Sequence, residues 1–158
     1  RKDLSYFGRF GKQGRGYKVD SLIEQLTNIL GLNRQWNSCI IGVGRLGKAI
    51  INYPGFVPEG FKIISAFDND PSKIGHTVNE IQILPIDQIK SSVEKNDIKI
   101  AILAVPAASA QNVITDLIDT NIKAILNYAP IAPKVPTTLI LRNIDPVLSL
   151  QSMTYYLD

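Results

Sequence analysis

The chain has 158 residues, 45% hydrophobic and 20% charged, enough apolar side chains for one globular domain with a buried core and an appendage. No apolar run approaches the roughly 18 residues that span a bilayer, the start lacks a signal-peptide core, and the one cysteine, Cys39, has no partner for an internal disulfide. The net charge of +3 is uneven: residues 1–18 hold six bases against Asp3 alone, and the remaining 140 residues hold eleven bases and thirteen acids. A soluble protein of a reducing, cytoplasmic compartment is expected, with Cys39 as plain core and a basic N-terminal arm.

In chain order, the arm comes first. "RKDLSYFG" has helical character, and "RFGKQGRGYKV" sets Gly11, Gly14 and Gly16 among bases, the pattern of a turn between two short strands. A basic helix followed by a basic hairpin suits a winged-helix module on DNA; by composition alone a solvated basic tail fits equally. "VDSLIEQLTNILGL" then carries Leu22, Ile23, Leu26, Ile29 and Leu30 at helical spacing. Ser21 and Glu24 are spaced as a capping box, and Gly31 is placed to stop the helix.

From Trp36 onward, strands and helices alternate. "SCII", "FKIISAF", "KIAILAV", "KAILNYA" and "TTLILRNI" read as strands, and "IDQIKSSVEKN", "AASAQNVITDLIDT" and "DPVLSLQSMTYYL" as helices. Strands without polar alternation, separated by helical segments of about 10–15 residues, predict a doubly wound parallel α/β sheet.

Between the first strand and the next helix, Gly42, Gly44 and Gly47 form G-x-G-x-x-G. The spacing predicts a tight turn at Gly42, a close approach of pyrophosphate to backbone at Gly44, and close helix–strand packing at Gly47. Free N–H groups at the helix start would face the phosphates. The fingerprint calls for an acid about 20 residues further on, and Asp68 lies 21 residues after Gly47. A carboxylate there accepts hydrogen bonds from ribose hydroxyls and repels a 2′-phosphate. With Asp70 nearby, NADH and NAD+ are expected over their phosphorylated forms. "AVPAAS" and "NYAP" end later strands and should flank the nicotinamide half, although Pro130 alone fits a plain strand end as well.

An enzyme would need more. The sole histidine, His76, falls in a loop on the adenosine side, no Y-x-x-x-K pair occurs, and no Cys, His and carboxylate cluster suggests a metal. No second domain remains for a substrate, so the enzyme reading loses ground, though it survives if the chain is a fragment, as the cofactor domain of a small-substrate dehydrogenase. A CoA- or nucleotide-binding interaction module of related fold is a further reading.

"RKDLSYFG", "FGKQGRGY", "ILGLNRQWN", "GVGRLGKAI", "NYPGF", "AFDNDPSKIG", "AVPA", "NYAP" and "LQSMTYYL", in this order and over essentially the whole chain, resemble the Rex family of bacterial redox-sensing transcriptional repressors. The resemblance implies a homodimer with an N-terminal winged helix and a Rossmann domain that senses NADH against NAD+ and releases operator DNA when NADH rises. It implies a winged-helix remnant at 1–18 that begins inside the recognition helix, a linker helix at 19–35, a Rossmann domain at 36–144 and a swapped dimerisation helix at 145–158. Cofactor contacts fall to Gly42, Val43, Gly44, Arg45, Leu46, Gly47, Asp68, Asn69, Val105, Pro106, Ala107, Asn127, Tyr128, Ala129 and Pro130. Coupling falls to Tyr53 and Asp145, and DNA contacts to Arg1, Lys2, Lys12 and Arg15. The sequence departs from the family pattern at Tyr128, where phenylalanine is common, and at Pro146, where some members carry a phenylalanine over the nicotinamide. Val147, Leu148, Leu150, Met153, Tyr155, Tyr156 and Leu157 make the last helix apolar nearly all round, as burial against a partner would demand.

Overall fold

A computed structural model describes residues 19–157. The expectations for residues 1–18, including Arg1, Lys2, Lys12 and Arg15 as DNA contacts, lie outside them. The chain divides at Gln35/Trp36 into two units.

In the first unit, helix α1 (Val19–Ile29) ends at a glycine with positive φ, Gly31 at 67°. Leu32 N–H donates to the Thr27 carbonyl at 2.9 Å and Gly31 N–H to that of Asn28 at 3.1 Å. That pair of bonds is a Schellman closure, which a residue with a Cβ would resist. Ser21 is not the N-cap that the spacing suggested. It sits inside α1, where its hydroxyl accepts from Gln25 at 3.1 Å, because the helix already includes Val19 and Asp20.

The second unit is a seven-stranded sheet in the order β3-β4-β2-β1-β5-β6-β7. Its strands are β1 (Trp36–Ile41), β2 (Phe61–Asp68), β3 (Thr77–Val78), β4 (Ile81–Pro85), β5 (Ile100–Leu103), β6 (Ala124–Asn127) and β7 (Ile140–Asn143). All neighbours pair in parallel except β3 with β4. Without that hairpin, the order reverses direction between β1 and β5, as in a Rossmann sheet. The hydrophobic pattern revealed neither strand of the hairpin, nor the parallel pairing of β4 with β2. The hairpin's two-residue loop uses positive φ at Asn79 (47°) and Glu80 (66°), a primed turn made without the glycine that usually signals one.

Both faces of the sheet are buried, as side-chain alternation along β1 shows. Cys39 and Ile41 join Phe67, Val93, Leu103, Val113, Ile114 and Leu117 on one face, while Ile40 joins Val43, Ile50, Ala66, Ile83 and Ile102 on the other. Helix α3 (Ile89–Lys95), entered through a 3-10 turn at Ile86–Gln88, and helix α4 (Ala107–Ile118) cover the first face. In α4 the buried residues Ala110, Val113, Ile114 and Leu117 follow one helical stripe. The second face is covered by α2 (Arg45–Ile51), which buries Gly47, Ile50 and Ile51. Toward β7 that cover runs out, and Ile140 is 59% exposed. The last helix, α5 (Pro146–Thr154), buries none of its residues in the single chain.

Candidate functional site

Parallel strands end on the same side of the sheet, and the turns that follow β1, β2, β5 and β6 lie in a row there. That row brings Gly42–Gly47, Asp68 and Asn69, Val105–Ala107 and Asn127–Pro130 to one edge. It straddles the β1/β5 reversal, where a crevice opens between strands whose connections run in opposite directions.

The three glycines of the first turn do three different things. Gly42 holds φ at 93°, and a Cβ there would press into the Ala104 carbonyl and the Val105 side chain. Gly47 lies so close to the Gly42 carbonyl oxygen that any side chain would overlap it. Gly44 starts α2, its carbonyl accepting from Lys48 N–H at 3.0 Å. A Cβ at Gly44 would meet nothing within 4 Å. The fold therefore needs Gly42 and Gly47 as glycines, whereas Gly44 leaves backbone bare toward open space beside a helix start. Arg45 and Leu46, the first residues of α2, are exposed there, and Val43 is buried.

Asp68, the last residue of β2, is only 4% exposed yet charged. One carboxylate oxygen accepts from Val43 N–H at 2.7 Å and from the Lys73 ammonium at 3.1 Å, and the other accepts from Asp70 N–H at 2.9 Å. Burial pushes its pKa up, but the two backbone N–H groups and Lys73 together outweigh burial and hold it below its ordinary 3.8. The carboxylate is thus pinned to the glycine turn through Val43. Asp70 is held on the outer side: Ser72 N–H and Oγ donate to one oxygen at 2.9 and 2.7 Å, and Lys73 lies 3.5 Å from the other. Asn69 between the two acids is exposed. Two acids alone were expected at this corner. Lys73 between them was missed, although the lysine is plain in "DNDPSK", because spacing alone does not say that two successive Asx turns fold it back onto Asp68.

The opposite end of the row is small and apolar. Pro106 caps α4, Ala107 begins it, and Val105 packs against the first core cluster. Asn127 is fully buried, and its side chain does not project into the crevice as a free polar group. Its Nδ2 donates to Ala129 O at 3.0 Å and to Asn143 Oδ1 at 2.9 Å, and its Oδ1 accepts from Ala129 N–H at 3.0 Å. The residue clips its own turn and ties it to β7. Tyr128 packs on the second core cluster, Ala129 is buried and Pro130 is exposed.

Two expected site residues stand apart from this row and from each other. Tyr53 follows the C-terminus of α2, 58% exposed, its ring edge-on to Phe56 at 5.1 Å. It lines a cavity of about 480 Å³ bounded by the first residues of β2 and β4, at the other edge of the sheet. Asp145 caps α5, accepting from Val147 N–H at 2.9 Å, beyond the end of β7. Three strands separate β2 from β7, so the two positions lie on opposite corners, roughly 20 Å apart across the strands alone. His76 is exposed beside the β3–β4 hairpin, and burial pushes the Cys39 thiol up to about 12. Among the described residues, no group of three His, Cys, Asp or Glu side chains could hold a metal, and no helix is long and apolar enough to cross a membrane.

Comparison with known proteins agrees with this geometry. The family model described as CoA binding domain matches residues 33–131. The redox-sensing transcriptional repressor Rex of Chloroflexus aggregans is 50% identical over 157 residues, covering 99% of this chain and 74% of the relative. Among solved structures, RSP in complex with β-NAD+ and operator DNA superposes with a TM-score of 0.90 at 40% identity, over 99% of this chain and 72% of RSP. RSP in complex with β-NADH gives 0.85 at 37% identity, over 99% and 73%. With identity at this level along nearly its whole length, and a Rossmann sheet to match, the chain belongs to the Rex family of redox-sensing transcriptional repressors, which are regulators rather than enzymes.

Proposed function

We propose that the chain binds NADH and NAD+ along the C-terminal edge of its sheet, and that NADH binding releases operator DNA. The observation that carries this is the Gly44 opening: backbone left bare at the start of α2, with Asp68 fixed beside it through Val43. Gly42, Val43, Gly44, Arg45, Leu46 and Gly47 would hold the pyrophosphate, and Asp68 with Asn69 the adenosine ribose. Val105–Ala107 and Asn127–Pro130 would wall the nicotinamide. The bound dinucleotide supplies a redox-dependent charge on its nicotinamide ring, neutral in NADH and positive in NAD+. Walls made of Val105, Pro106, Ala107, Ala129 and Pro130 offer that cation no partner, which disfavours the oxidised form. A ligand moves a conformational equilibrium only through its differential affinity for the two states, so the reading requires in addition that NADH binds one arrangement of the protein more tightly than the other.

That arrangement is a homodimer joined through α5. Support comes from Val147, Leu148, Leu150 and Met153, each more than half exposed in the single chain, and from the uncovered β7 face beside them. With Tyr53 and Asp145 on opposite corners, a contact between them would have to cross from one protomer to the other. The arm at 1–18, with its balance of +5, is read as part of a winged-helix module that meets phosphates and, with the rest of that module, an operator. Bacterial cytoplasm, where NADH and NAD+ interconvert, is the setting.

The CoA binding domain match favours one second reading, a CoA ligand in the same crevice. Isothermal titration of NADH, NAD+ and CoA into this chain separates the two. NADH binding tighter than NAD+, with CoA weak, is expected; CoA binding while NADH does not would overturn the assignment.

A further inference from the structure

Asp68 is where the dinucleotide reading places the ribose, and Lys73 already occupies part of it. A carboxylate offers about four lone-pair positions, and three are filled by Val43 N–H, Asp70 N–H and the Lys73 ammonium. Two vicinal ribose hydroxyls need two positions. The backbone donors are fixed by the glycine turn and by the turn at Asn69, so the lysine is the donor that can move. Its side chain is one-third exposed, and a second carboxylate, Asp70, waits 3.5 Å away.

We propose that Lys73 determines how strongly this site discriminates at the 2′ position: it yields Asp68 to the ribose hydroxyls, moves onto Asp70, and leaves one net negative charge where two acids alone would leave two. The inference rests on the dinucleotide reading above and deepens it. In the free protein, Lys73 neutralises part of a buried carboxylate that has no other cation on it among the described residues. In the occupied site its pairing with Asp70 cancels the outer acid, so a 2′-phosphate is opposed by Asp68 alone. The lysine therefore moderates a selectivity that the two acids would otherwise make steeper.

Charge changes of opposite sign test this. NADH and NADPH are titrated into the wild-type chain and into Lys73→Met, Lys73→Arg and Asp70→Asn, with a thermal melt of each variant to confirm folding. Lys73→Met should widen the ratio of NADPH to NADH dissociation constants roughly threefold, and Asp70→Asn should narrow it by a similar factor, as for a partly exposed ion pair. Lys73→Arg, which keeps the charge, should leave the ratio near the wild-type value. Both effects should shrink as salt is raised, whereas loss of a merely structural contact would not respond so. A ratio unchanged by both charge changes, in folded variants that bind NADH, overturns the role of Lys73 and leaves the dinucleotide site standing. A wild-type chain that binds neither dinucleotide overturns the site itself and this role with it.

Discussion

Asn127 Nδ2 donates to Asn143 Oδ1 at 2.9 Å, so the turn at the end of β6 is fastened to the strand that leads into α5. The backbone repeats the tie, Ile144 N–H donating to Asn127 O at 2.8 Å. The next residue, Asp145, caps the helix. A change at the proposed nicotinamide wall thus has a short, hydrogen-bonded route to the element read as the dimer joint. Asn143→Ala should cost about 1 kcal/mol of stability, one net hydrogen bond. Asn127→Ala should cost more, about 2 kcal/mol, because it strips the clip on Ala129 as well. Urea unfolding measures both, and equal costs would mean that the clip contributes nothing.

The glycines should separate folding from binding. Gly47→Ala forces the new methyl into the Gly42 carbonyl and should unfold the protein or lower its stability by about 3 kcal/mol. Gly44→Ala meets no atom of the protein. It should melt within a few degrees of wild type and lose at least tenfold in NADH affinity, because the methyl would stand where the proposed site brings the pyrophosphate to the backbone. Wild-type affinity in Gly44→Ala would remove Gly44 from the site.

Acid should test Asp68. Its folded pKa lies below the ordinary 3.8, so the folded state favours the ionised form. The stability this contributes is complete above about pH 5 and is lost as pH falls through the folded value. Asp68→Asn should lower stability at neutral pH by about 2 kcal/mol, the scale of hydrogen bonds to a charged group, and flatten the acid limb of a stability–pH curve. A parallel acid limb in the variant would assign the acid sensitivity to other groups.

Cys39 should be silent toward thiol reagents. It is fully buried, with its thiol pushed up to about 12 by desolvation, so almost no thiolate exists at neutral pH. Labelling should appear only in denaturant, and rapid labelling of the native chain would contradict the packing of β1.

Removal of residues 145–158 should abolish the proposed dimer. Sedimentation velocity is expected to show monomer or aggregate, and an unchanged dimer would sink the joint proposed for α5.

Much of this architecture was legible in the sequence because parallel strands buried on both faces are written as short apolar runs. "SCII" and "FKIISAF" could be placed without knowing their neighbours. The β3–β4 hairpin was not legible, since the two residues of β3 carry no period and Asn79–Glu80 make a turn that is usually marked by glycine. The capping box failed at Ser21 for a related reason: the motif gives only a spacing, and the helix already includes Val19 and Asp20. At the site, glycine spacing and the acid at Asp68 were visible. What those groups touch was not. Lys73 reaches Asp68 and Asn143 reaches Asn127 only through turns and strand register, and neither has a signature that one sequence displays.

The opposite corners held by Tyr53 and Asp145 have a genetic consequence for the proposed dimer. If the two residues meet across protomers as proposed, that contact occurs twice in a symmetric dimer, each copy drawing one residue from each subunit. In a mixed dimer of a Tyr53→Phe subunit and an Asp145→Asn subunit, both losses fall on the same copy and the other copy is intact. Two alleles that each fail alone would then partly complement when expressed together, whereas two alleles altered at the same position would not. A pair of residues acting within one protomer could not give that pattern, because every subunit would carry its own defect.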